Sequence, residues 1–166
     1  YPQIGEIEEN QPTFHENALI KAKALFEQTH LPTLSDDSGL QVEALNGEPG
    51  VHSKRFSSSG LDADNNALLL KKMESIPNRK ATFVCVICYY EGPHSIHYFE
   101  GRTDGLILES PKGTEGFGYD PLFFVPTYHK TYAELTLNEK NQISHRKNAF
   151  SQLLAYFEDR RVIDRL

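Results

Sequence analysis

The run Lys-Ala-Thr-Phe-Val-Cys-Val-Ile-Cys-Tyr-Tyr, from Lys80 to Tyr90, constrains the fold most. It is almost continuously apolar, which predicts a strand covered on both faces, a sheet with layers on either side. Cys85 and Cys88 lie inside it as C-x-x-C. Residues three apart on a strand point to opposite faces, a zinc knuckle needs about four ligands, and a redox pair prefers a helix N-terminus. They therefore read as two small core residues in a reducing compartment.

Helices to cover such a strand are present. Thr13-Phe14-His15-Glu16 is a capping-box sequence, which predicts a helix to about Thr29 before Pro32. Phe14, Ala18, Leu19, Ala22, Leu25 and Phe26 form its expected buried stripe; Lys21, Lys23 and Glu27 face water, and Asn17 reads as a surface residue. A second helix is expected over Leu61–Ser75, with Asp62 as N-cap and Ala67, Leu68, Leu70 and Met73 turned inward. Thr136-Leu137-Asn138-Glu139 starts a short helical turn. Ser144 caps a last helix from His145 to about Arg160, with Ala149, Phe150, Leu153, Leu154 and Phe157 as its stripe. Between these, Thr33–Asp36 reads as a strand end and Leu40–Leu45 alternates up to a turn at Asn46-Gly47. Ser95–Glu100 and Arg102–Leu108 read as two further strands, and Glu109–Gly118 as loop.

At 166 residues the chain is expected to be a single domain over its whole length, with no internal repeat and no linker. A net charge of −6 argues against binding DNA or RNA polymers or an anionic membrane surface. No apolar run approaches the ~20 residues a membrane helix needs.

Four local features depart from ordinary structure. Ser35-Asp36-Asp37-Ser38-Gly39 places adjacent carboxylates where a strand is expected to end in a glycine turn. Such oxygens suit a hard cation, with the Glu8–Glu9 pair, in an acidic segment that also holds Glu6, as a further source, although Asp, Ser and Gly also make plain turns. Gly113–Asp120 sets Phe117 among glycines, which suits a backbone close to a ligand and a ring flat on a base, or a ring tucked into the core. Lys140 and His145-Arg146 lie near a helix start, where anions are favoured, or are surface charge. Lys54-Arg55 reads as a solvated patch, with facing a phosphate as the alternative. Together the set fits a magnesium–nucleotide site without naming a reaction.

The longer motifs resemble the inosine triphosphate pyrophosphatase family, the non-canonical purine nucleoside triphosphate pyrophosphatases. They are Thr13-Phe14-His15-Glu16-Asn17-Ala18, Ser35-Asp36-Asp37-Ser38-Gly39-Leu40, Pro49-Gly50-Val51 with Ser53, Gly113-Thr114, Gly116-Phe117-Gly118-Tyr119-Asp120-Pro121, Ala133-Glu134-Leu135, Glu139-Lys140 and Ile143-Ser144-His145-Arg146. The resemblance implies an α/β fold of two lobes around a long mixed β-sheet, with the active site in the cleft between them. It implies hydrolysis of ITP, dITP and XTP to the monophosphate and pyrophosphate with Mg²⁺, by a cytoplasmic homodimer.

Carried onto this chain, the resemblance makes Asp37 the general base and a magnesium ligand, and Glu8 a metal-site carboxylate, with Asp36 or Glu9 contributing through water. Ser38 lies against the substrate. Phe117 stacks on the purine while Gly118, Tyr119 and Asp120 line the nucleotide pocket. Lys140, His145 and Arg146 meet the substrate, the last two near the base edge. The family's opening strand and Ser/Thr-Gly-Asn-x-x-Lys phosphate loop are absent here. The chain starts at Tyr1 and its one methionine is Met73, so the expectation is that an N-terminal segment is not in this sequence. The competing expectations are a Maf-like pyrophosphatase of modified pyrimidine nucleotides, against which Phe-Gly-Tyr-Asp and Ser-His-Arg weigh, and a non-catalytic nucleotide-binding protein.

Overall fold

The computed structural model describes Gly5 and residues 7–163; Glu6, named in the acidic segment, lies outside the described residues. The elements run α1 (Phe14–Thr29), β1 (Thr33–Val42), α2 (Asp62–Lys72), β2 (Lys80–Gly92), β3 (Ser95–Ile107), β4 (Phe123–Val125), β5 (Lys130–Thr131), α3 (Leu137–Ile143) and α4 (His145–Ile163). The strands form one sheet in the order β1-β2-β3-β4-β5. β3 pairs antiparallel with β4 through Leu106↔Phe124, and β4 with β5 through Val125↔Lys130. Helices and this five-stranded sheet together make an α/β fold, as the resemblance implied.

The chain forms two compact units. The first takes residues 1–38, 85–101 and 145–166, and the second residues 39–84 and 102–144. In the first, Tyr89, Phe99 and Leu153 make a small core against which Tyr156 and Phe157 pack. In the second, Leu40, Leu69, Met73, Phe83, Phe123 and Tyr132 belong to a larger core.

β2 is buried along most of its length, as its composition predicts. Cys85 and Cys88 are buried and free, and burial raises both thiols, that of Cys88 to about 11. That keeps them protonated, as core residues rather than nucleophiles.

Three expectations about local structure are corrected. β1 is one continuous strand through Ser-Asp-Asp-Ser-Gly, with no turn at Gly39. β3 likewise runs unbroken through Gly101. A Cβ on Gly101 would fall 2.0 Å from the His145 carbonyl oxygen and 2.3 Å from the Ala149 nitrogen, so this glycine marks close approach of a helix rather than a bend. α2 turns inward through Asn65 and Leu69, and Ala67 is exposed; Met73, just past its end, is wholly buried, as expected.

The stripe of α4 is also narrower than expected. Ala149 and Leu153 are buried, but Phe150 and Leu154 are exposed. α3 opens with the expected capping box: Thr136 Oγ1 accepts from the Glu139 N–H while the Glu139 carboxylate accepts from the Thr136 N–H. Lys130 completes this arrangement at 2.8 Å, and together these contacts lower the Glu139 carboxyl to about 2.

Candidate active site

In the first unit, two hydroxyls tie β1 to α1. Thr33 Oγ1 donates to the Ala22 carbonyl at 2.9 Å, and Ser35 Oγ donates to the Ala18 carbonyl. Ala18 and Ala22 are wholly buried, and their small side chains let the strand lie close to the helix. This sets Asp37 under Asn17 and Lys21, one helical turn apart. Asn17 is wholly buried, which corrects its reading as a surface residue. Its amide accepts from the Gln11 N–H at 3.0 Å and holds the segment that carries Glu9.

Lys21, expected in water, lies between two carboxylates. Its Nζ is 2.7 Å from Glu9 Oε1 and 3.6 Å from Asp37 Oδ1. Asp37 is 6% exposed, and its Oδ2 is buried with no hydrogen-bond partner among the described residues. Burial raises the Asp37 carboxyl above its ordinary range, and Glu9 adds to this. The Lys21 charge and the Asn17 amide oppose the rise but do not cancel it. The distances give the reason: the ammonium sits closer to Glu9 than to Asp37.

Adjacent strand residues face opposite ways, so Asp36 belongs to a different environment. Its Oδ2 accepts from Ser38 Oγ at 3.3 Å and lies 4.0 Å from Arg146 Nε. Arg146 Nη1 is 3.4 Å from His145 Nε2, and His145 is buried at the start of α4. Asp37, Asp36, Ser38, His145 and Arg146 are thus gathered in one unit, the two acids each with its own cation. Glu8 is exposed, and Glu9 is the residue of that segment brought to Lys21.

Two carboxylates and an unpaired carboxylate oxygen fit magnesium, which keeps several waters and takes only one or two protein carboxylates beside substrate phosphates. They do not make an all-protein cage: among the described residues no group of three or more His, Cys, Asp or Glu side chains is placed to hold a metal.

In the second unit, Phe117, Gly118, Tyr119, Asp120 and Lys140 come together. Asp120 is 3% exposed, and its Oδ2 accepts from the Phe117 N–H at 3.0 Å and from Lys140 Nζ at 2.5 Å. Gly116 has φ +80°, and a Cβ there would fall 2.1 Å from that same Oδ2, so the turn needs glycine on both counts. Phe117 is 63% exposed, with Lys140 Nζ 5.4 Å from its ring centre. Tyr119 is buried in the core and its hydroxyl donates to the Ser53 carbonyl at 2.8 Å. Burial raises its phenol far above the usual range.

Sequence reasoning missed Lys21 and Asn17. Their signal was positional: both flank the Ala18–Ala22 stripe on the face of α1 that a strand must meet. It also missed the use of Asp62, which accepts from the Gly118 N–H at 2.7 Å and does not cap α2.

The candidate site thus consists of a buried carboxylate beside a lysine in the first unit and a carboxylate-braced glycine–aromatic loop in the second. A model of the Ham1 family matches residues 1–156, and the chain belongs to that family. The dITP/XTP pyrophosphatase of Halalkalibacterium halodurans is 47% identical over 156 residues, covering 92% of this chain and 80% of that protein. The dITP/XTP pyrophosphatase of Geobacter sulfurreducens is 49% identical over 156 residues, covering 92% and 78%. Among solved structures, the Staphylococcus aureus Ham1 protein has a TM-score of 0.90 at 42% identity, covering 93% of this chain and 81% of that one. The nucleoside-triphosphatase (dITP/XTP pyrophosphatase) of Mycobacterium abscessus has a TM-score of 0.79 at 44% identity, covering 89% and 77%.

Proposed function

We propose that the protein is a nucleoside triphosphate pyrophosphatase that hydrolyses non-canonical purine nucleotides, dITP and XTP with ITP, to the monophosphate and pyrophosphate. The relatives named above are dITP/XTP pyrophosphatases by name. The observation in the structure that supports it is Asp37: a buried carboxylate, unpaired at Oδ2, raised in pKa and set beside a lysine.

Asp37 accepts a proton from the attacking water. The water oxygen bonds to the α-phosphorus, the bond to the bridging oxygen breaks, and pyrophosphate leaves with the electron pair. Bulk water is a far weaker acid than any carboxylic acid, so Asp37 alone is a weak match for it. Asp37 and Glu9, with Glu8 from the same acidic segment, would hold magnesium, which would supply the missing acidity and neutralise phosphate charge. Lys21 holds Asp37 and Glu9 in place and keeps their combined charge tolerable.

The second unit carries groups for the base: Phe117 offers its exposed face for stacking, and Lys140 orients the loop through Asp120. His145 and Arg146 donate to the acceptor at C6 of hypoxanthine or xanthine, where adenine presents a donor. Two buried free thiols support a reducing, cytoplasmic setting.

Hydrolysis of dITP in ¹⁸O-labelled water tests the reaction. Label is expected in dIMP, with pyrophosphate unlabelled. Label in the released pyrophosphate would place the attack on the β-phosphorus and contradict the proposed path.

A further inference from the structure

Asp62 and Asn66 stand one turn apart on α2 and hold the Gly118 backbone from both sides. Asp62 Oδ2 accepts from the Gly118 N–H at 2.7 Å, and Asn66 Nδ2 donates to the Gly118 carbonyl at 2.9 Å. The preceding N–H, of Phe117, is already held by Asp120 at 3.0 Å. Three backbone polar groups of this glycine-rich loop are therefore fixed by side chains.

Neither α2 residue is explained by the helix itself. Asp62 lies in the first turn, where a carboxylate commonly serves the helix N-terminus, yet its oxygen goes to Gly118. Asn66 Oδ1 is buried with no hydrogen-bond partner among the described residues. An amide left half satisfied in this way is retained for its donor, because an unpaired buried acceptor is otherwise unfavourable.

We propose that Asp62 and Asn66 are positioning residues that hold Phe117–Gly118 ready as the platform for the purine. The inference rests on the reading above that Phe117 stacks on the base. Phe117 is 63% exposed, and Gly116 and Gly118 both have positive φ. Without the clamp such a loop samples many conformations, and a ligand must order it on binding, which weakens affinity. With the clamp the ordering is done in advance by α2, a rigid element.

Two isosteric exchanges separate hydrogen bonding from shape. Asp62→Asn keeps an acceptor oxygen for the Gly118 N–H and loses only an exposed pairing with Lys54 at 3.5 Å. Asn66→Asp keeps the shape, loses the donor and sets a carboxylate against the Gly118 carbonyl. Asp62→Ala, at a half-exposed side chain, removes the acceptor and guards against a misfolded Asn66→Asp.

The probe is inosine monophosphate, titrated by calorimetry, with thermal melting of each variant alongside. Asp62→Asn is expected within about 2-fold of the parent Kd, and Asn66→Asp and Asp62→Ala weaker by about 10-fold, at melting temperatures that leave all of them folded. If the parent binds and both disruptive variants bind equally well, the clamp has no positioning role. If Asp62→Asn weakens binding as much as Asp62→Ala, the hydrogen bond is not the cause and the inference fails. If the parent chain itself does not bind inosine monophosphate, the base-platform reading fails, and the clamp's role falls with it.

Discussion

Asp37→Asn is expected to lower kcat/KM for dITP by about 10²- to 10⁴-fold, the range associated with loss of a positioned proton acceptor. The substitution keeps the shape and removes the charge, so the fold has no reason to suffer. Lys21 retains Glu9 at 2.7 Å and is not stranded. Stability should move the other way from activity. The folded-state pKa of Asp37 is raised, so the native protein binds that proton more tightly than the unfolded chain does. The resulting stabilisation is complete below the ordinary carboxylate range and is lost as pH rises through the raised value. At neutral pH the charged, buried Asp37 therefore works against the fold, and metal-free Asp37→Asn should melt at the same temperature or higher. Stability curves over pH for parent and variant check this: the parent should lose stability across that window relative to Asp37→Asn. Near-native turnover, or a marked drop in melting temperature, would contradict the role given to Asp37.

Gly101→Ala is expected to be the most damaging small substitution in the first unit. The added methyl would lie 2.0 Å from the His145 carbonyl oxygen and 2.3 Å from the Ala149 nitrogen. These are backbone atoms of α4 and cannot rotate away. Either α4 moves off the sheet or the variant fails to fold, a cost of about 3 kcal/mol or more by comparison with overpacked cores. Moving α4 also moves His145 and Arg146, so any folded fraction should show a weakened preference for hypoxanthine over adenine. Denaturant unfolding followed by circular dichroism measures the first effect. A variant as stable as the parent would mean that α4 does not rest on Gly101 as described.

The elements whose residues carry strong local signals were legible in the sequence. α1 ends at Thr29, β2 begins at Lys80, and Thr136–Glu139 makes the capping box that its residues announce. The motif at Asp36-Asp37 was legible as chemistry but not as geometry. Asp, Ser and Gly favour turns locally, and tertiary pairing overrides that preference, drawing one strand through the motif. Once the strand is continuous, alternation separates the two acids: Asp37 lies toward Lys21, and Asp36 toward Ser38 and Arg146. Lys21 was hidden because a lysine beside a helix stripe reads as solvated, and only the strand that docks there supplies the carboxylates that hold it. Gly101 was read as a break between strands because a glycine marks both a bend and a close approach, and sequence alone does not distinguish them. Asp62 gave a helix-cap signal, yet its partner Gly118 lies far along the chain.

The most direct test is pyrophosphate release measured side by side for dITP, XTP, dATP and dGTP with magnesium present. The expected result is one pyrophosphate per monophosphate formed, with kcat/KM for dITP and XTP exceeding that for dATP by roughly 10²-fold or more, as for sites that select by hydrogen bonding. Equal rates on dITP and dATP, or release of orthophosphate in place of pyrophosphate, would contradict it.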